Sequence, residues 1–136
     1  MIATGLKDYL EAQSVATFGT DLFISKFPDT PDNALCIFDQ TAPNLDEMSS
    51  YDANNFGTKI LVRGTYSFCK TTVLALLRNI PMLSGEYDSI RIIDTRIESF
   101  PEFIEVDKKG RRLYSLNFSH YCNIGNNVNR KETYTP

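Results

Sequence analysis

The chain has no tryptophan, a single histidine and only three cysteines, and each scarcity closes off some chemistry. Cys36, Cys69 and Cys122 stand far apart in apolar or strand-like surroundings, with no Cys-x-x-Cys pair. An odd number at such spacing gives neither a disulfide framework nor a zinc site, and predicts free, buried thiols. No apolar run approaches the roughly 20 residues that a membrane helix needs, and Met1-Ile2-Ala3-Thr4 opens no signal peptide. The expectation is a protein that does not cross a membrane by a signal of its own. A net charge of −3 argues against general nucleic-acid binding, which needs a cationic surface to displace counterions. Walker sequences, Gly-rich dinucleotide loops and serine nucleophile elbows are all missing. The sequence therefore predicts no enzyme, no cofactor and no metal site.

What is present suits one folded domain. At 136 residues the chain can bury roughly two-thirds of its unfolded surface. Ile2, Leu6, Tyr9 and Leu10 share one face of a helix over residues 2–13, with Thr4 as its expected cap. Short strands are expected at 22–25 and 34–39, and a third at 58–63, where β-branched and apolar residues concentrate. Gly64 breaks that strand, and Thr65 or Ser67 offers a cap for the next helix. Its apolar face is Cys69, Val73, Leu76, Leu77 and Ile80, and Pro81 stops it. Further strands are expected at 86–96, 103–106 and 112–122, the last two joined by the tight turn Asp107-Lys108-Lys109-Gly110. Residues 40–57 are polar and turn-rich without a period, a length of loop that is uncommon in a compact domain. The fold class is α+β: a mostly antiparallel sheet of about five to six strands with two main helices packed on one face. Residues 1–124 form the domain, and 125–136 a polar tail that orders only against something else.

Three stretches carry a resemblance. Phe27-Pro28-Asp29-Thr30-Pro31-Asp32-Asn33-Ala34 makes a rigid turn that feeds a short strand, and Val62-Arg63-Gly64 with Tyr66 closes the strand before the second helix. With Gly110-Arg111-Arg112-Leu113-Tyr114 near the end, this order resembles a family of small tailed-bacteriophage proteins. They are often called minor capsid proteins and are similar to tail terminators or tail-completion proteins. The resemblance covers residues 6–121. One departure is Gln40-Thr41-Ala42, where a Gly-Gly pair is expected. The resemblance implies a structural virion protein, assembled in the host cytoplasm and placed at the tail or neck. It implies a closed six-fold ring that caps the tail tube, ends polymerisation and offers a surface for head–tail joining. The implied partners are further copies of the chain, the tail tube protein, head–tail connector proteins and DNA passing through the lumen, with no membrane. A head-completion or neck connector protein is the alternative within this class.

The remaining candidate residues are weighed on their own chemistry. His120 and Cys122 point to one face of a strand and raise an alternative from another class, a small enzyme or ligand-binding domain. Such neighbours stand roughly 7 Å apart at Cα with no third orienting group, so a half-buried histidine at a strand end is the preferred reading. Asp29, Asp32 and Asn33 are oxygen donors, but the glutamate that completes an EF-hand is missing. A turn held by side-chain-to-backbone bonds is expected instead, with Arg63 holding the strand–helix junction. Candidate interface residues are Asp46, Glu47, Tyr51 and Asp52 in the long loop, and Lys108, Lys109, Arg111 and Arg112 around the basic hairpin. The expected contacts are with neighbouring subunits or the tail tube.

Overall fold

The computed structural model describes residues 2–40, 53–87 and 90–123. It begins with α1 (Ile2–Ala12), whose Ile2, Leu6, Tyr9 and Leu10 are buried as the periodicity requires. Thr4 does not cap this helix, because it lies inside it. The first turn is instead satisfied from elsewhere in the fold: the Ala3 N–H donates to the Asp39 carboxylate at 2.8 Å, a negative group where the helix end is positive.

Six strands follow in one sheet: β1 (Leu22–Ile24), β2 (Ala34–Gln40), β3 (Ala53–Gly64), β4 (Gly85–Tyr87), β5 (Ile90–Val106) and β6 (Arg112–Asn123). Their order across the sheet is β1-β2-β3-β6-β5-β4. The sheet is mixed, which corrects the expectation of a mostly antiparallel one. β1 runs parallel to β2, with Leu22 opposite Leu35. The reason is that the Pro-Asp segment between them carries the chain back to its starting end instead of simply reversing it.

Three boundaries also differ from the sequence reading. β3 begins at Ala53, so residues expected in the long loop pair with the end of β6. The expected strand over 86–96 is divided between β4 and β5. The expected separate strand at 103–106 is the far end of β5, which runs on through Phe100 and Pro101. Register shifts at Ile97/Ser99, Ser99/Glu102 and Phe103/Glu105 make that continuity possible. A bulged, outer stretch of strand tolerates proline because no ladder donor is required of it there.

Between β3 and β4 runs α2 (Tyr66–Asn79), followed by a 3-10 turn (Ile80–Met82) that contains Pro81. Thr65 is its cap, its hydroxyl accepting from the Phe68 N–H at 3.1 Å. Cys69, Val73, Leu76 and Ile80 of this segment join Leu6 and Leu10 of α1 in one core. The sheet contributes Leu35, Ile37, Ile60, Val62, Leu116 and Phe118 to the same cluster. Each large aliphatic side chain buried this way stabilises the fold by roughly 1.5–3 kcal/mol. The opposite side of the sheet is not uniformly wet, since Ser115 is also buried.

Candidate functional site

The three sequence stretches that carried the resemblance meet in space. The turn over residues 29–33 lies against the end of β3 and against the β5–β6 hairpin, held by two arginines. From β3, the buried Arg63 donates through Nη2 to the Pro31 carbonyl at 2.6 Å and through Nε to the Asp32 carbonyl at 3.4 Å. Its guanidinium carbon sits 4.0 Å from the centre of the Phe27 ring, close enough for a cation–π contact. From the hairpin, Arg111 donates to the Asp29 carboxylate at 2.8 Å, the Asp29 carbonyl at 2.6 Å and Asp32 Oδ1 at 3.3 Å. Its Nε reaches Asp107 Oδ2 at 2.7 Å. Lys109 pairs with the second oxygen of Asp29.

Local geometry fixes these partners. Asp107 Oδ1 accepts from the backbone N–H groups of Lys109 and Arg111, both at 2.9 Å. Gly110 takes the positive φ of 78° that closes the turn. Lys109, and after it Arg111, holds the Asp29 carboxyl down at about 2. Partial burial would raise Asp107, but hydrogen bonds from Arg111 and Lys109 outweigh it and keep the carboxyl low. Gly64 completes the junction. A Cβ there would stand 2.3 Å from Asn33 Oδ1, the atom that accepts from the Thr65 N–H at 3.1 Å.

The candidate interface residues are thus divided. Lys109 and Arg111 are engaged within the subunit. Lys108 is exposed, and Arg112 lies half-buried with its guanidinium 5.5 Å from the Tyr66 ring centre. Asp46, Glu47, Tyr51 and Asp52 fall outside the described residues, as does the expected tail over 125–136.

His120 is not half-buried at a strand end. It is fully buried, with Nε2 2.8 Å from the Thr58 hydroxyl and Nδ1 3.0 Å from the Thr95 hydroxyl. Burial, opposed weakly by the Asp39 charge, lowers its pKa to about 4. Burial likewise pushes the Cys122 thiol up to about 12. Both ring nitrogens are occupied by threonines, so the pair has the geometry of a satisfied core rather than of an activated nucleophile. Among the described residues no group of three or more His, Cys, Asp or Glu side chains could hold a metal ion.

One surface was not singled out from sequence. β4 pairs with β5 only from Ile90 to Ile92. Beyond that, no described strand pairs with the outer edge of β5. Ile97, Phe103 and Val106 lie opposite Phe118, Tyr114 and Arg112, on the face that carries the core elsewhere, yet they are 40, 47 and 51 % exposed. Phe100 is 82 % exposed. The sequence signal was Ile97-Glu98-Ser99-Phe100-Pro101-Glu102-Phe103-Ile104-Glu105-Val106, a β-forming run that keeps neither face apolar throughout.

Fold and clamp together define a small α+β domain whose charged groups hold its own turns in place and much of whose exposed apolar surface lies on β5. Residues 9–120 match the family described as bacteriophage tail terminator protein. The chain belongs to the bacteriophage tail terminator family, and its role is a structural one in the phage virion tail. A solved structure from the virion of a native gene transfer agent particle has the same fold, with a TM-score of 0.66 at 12 % identity, covering 90 % of this chain and 97 % of that one. A second solved structure superposes with a TM-score of 0.54 at 11 % identity, covering 90 % of each chain. No curated protein matches.

Proposed function

We propose that this chain caps the phage tail tube as a ring, ends tube polymerisation and presents the surface on which head and tail join. The observation that carries this reading is the family match over residues 9–120. The physical task is geometric: one surface must accept the end of the tube, and a rotationally closed contact between subunits must stop further growth. Six copies make the ring, DNA passes through its lumen, and tail tube and connector proteins bind its two sides. The exposed β5 strand suits such contacts. So does the hairpin tip, where Lys108 and Arg112 face neighbours while Lys109 and Arg111 hold the tip's shape. Asp46, Glu47, Tyr51 and Asp52, which lie between β2 and β3 in sequence, are proposed to meet the tube or the next subunit. Assembly takes place in the host cytoplasm.

Particles made without the chain test this. The expected result is tails of abnormal length that do not join heads. Tails of normal length left unattached would make it a neck connector instead, and unchanged particles would overturn both.

A further inference from the structure

The helical layer leaves the far half of β5 open. The 3-10 turn packs on that strand, whose Ile90, Ile92 and Thr95 are buried. Further along, Ile97, Phe103 and Val106 lie opposite Phe118, Tyr114 and Arg112, on the face that carries the helices, and there each is at least 40 % exposed. Phe103 packs edge-on against Tyr114, with ring centres 5.4 Å apart. The result is an apolar ledge beside α2, which covers β3 and β6. Its border is basic. Arg112 closes one end, with its guanidinium over the Tyr66 ring, and Lys70 is exposed one turn along α2 from Tyr66. Glu102 and Glu105 do not offset these cations, because they stand opposite Ser115 and Leu113, on the other face of the sheet. α2 itself contains no aspartate or glutamate. Counting Glu98, which sits at the register shift beside Ile97, the border still carries an excess of positive charge.

Such a ledge fits an acidic segment that carries apolar side chains, and this chain contains one. Residues 41–52, between β2 and β3 in sequence, hold Asp46, Glu47 and Asp52 and no lysine or arginine, with Leu45, Met48 and Tyr51 at steps of three. Residues 124–136 have the opposite balance, Arg130 and Lys131 against Glu132. Chain length decides which copy supplies the segment. Ala53, which follows it, pairs with Asn123, and Arg112 stands eleven residues back along β6, about 36 Å along the strand. Met48 is five residues from Ala53 and reaches about 18 Å at full extension. The far end of its own ledge is out of range. We propose that residues 45–52 of one copy seat on the ledge of a second copy, with Leu45, Met48 and Tyr51 against Ile97, Phe103 and Val106 and the acidic side chains toward Lys70 and Arg112. The segment leaves one end of the sheet and the ledge lies toward the other. The contact is therefore heterologous, and it continues from copy to copy and closes if its rotation allows. This rests on the tail-terminator reading for its setting, and it names the surface that receives Asp46, Glu47, Tyr51 and Asp52.

The test places a photo-crosslinking benzoylphenylalanine at position 103 of the full chain, in particles assembled from a mixture of isotopically light and heavy copies. The expected product joins position 103 of one copy to residues 41–52 of another, in light–heavy pairs. Crosslinks within one copy, to a different part of a second copy, to another virion protein or to nothing would overturn the proposal. Asp46→Lys/Glu47→Lys/Asp52→Lys should lower the yield about tenfold, and adding Lys70→Glu/Arg112→Glu should restore most of it. A yield that the triple change leaves untouched, or that the added pair does not restore, would overturn the charge pairing. Imaging the same particles separates the two claims. The crosslink without the chain at the tail end would sink the terminator reading alone, and the chain at the tail end without the crosslink would sink this interface alone.

Discussion

Arg111 and Asp29 stand 82 positions apart in sequence and 2.8 Å apart in the fold. The contact ties the β5–β6 hairpin to the Pro-Asp turn, and Arg111 is almost fully buried there. Replacing it with alanine leaves Asp29, Asp32 and Asp107 facing one another without their shared cation. Arg111→Ala is expected to destabilise the protein by roughly 1–3 kcal/mol in chemical denaturation, and Arg111→Lys to recover only part, because a lysine cannot fork across several acceptors.

The same contact sets an acid limit. Asp29 titrates at about 2 in the folded chain against an ordinary 3.8. A depressed carboxyl contributes stability that is whole above its unfolded pKa and lost as pH falls through the folded one. Melting curves should therefore steepen their loss of stability between about pH 4 and 2, and Asp29→Asn should remove part of that slope. An unchanged slope in the variant would show that the pairing carries no such linkage.

His120 adds to the acid limit at a higher pH. Its folded value of about 4 lies below the ordinary 6.5 because burial penalises the cation. The unfolded chain therefore takes up the proton first, and stability is lost as pH falls from 6.5 to 4, by about 3 kcal/mol in all. As the sole histidine, its ring protons are unambiguous by NMR. A titration midpoint near 4 is expected; one near 6.5 would mean an imidazole open to water.

All three thiols are buried, with burial pushing Cys36 up to about 11 and raising Cys69 as well. Iodoacetamide should leave the native protein unmodified over hours at neutral pH and label three sites once it is denatured. Rapid labelling of Cys122 in the native state would reopen the question of a reactive pair with His120.

Gly64→Ala probes the junction where strand, cap and turn converge. The added carbon meets Asn33 at 2.3 Å and the Phe68 ring at 2.9 Å. Relieving that crowding must disturb the Asn33 bond to Thr65, so a loss of roughly 1–3 kcal/mol is expected. A melting temperature equal to that of the parent chain would contradict the packing described.

Much of this was legible in the sequence. Helical periodicity placed Ile2, Leu6, Tyr9 and Leu10, and the series from Cys69 to Ile80, in the core, because burial on one helical stripe leaves a direct imprint on residue order. Gly64, Thr65 and Pro81 marked the start and end of α2 through their own backbone chemistry. The capping of α1 by Asp39 was not legible, since the partner lies 36 residues away and replaces the local cap that Thr4 suggested. Nor was the union of residues 90–106 into one strand, because Pro101 is an ordinary breaker unless a bulge receives it. The hairpin cluster showed its charge in the sequence but not its direction: Lys109 and Arg111 turn inward to Asp29, a matter of tertiary approach alone.

The most direct test of the central claim is electron cryo-microscopy of intact virions at the join between head and tail. The account predicts this fold repeated as a closed ring on the head-proximal end of the tail tube. Density for the chain at any other place in the particle, or a tube end closed by a different protein, would contradict it.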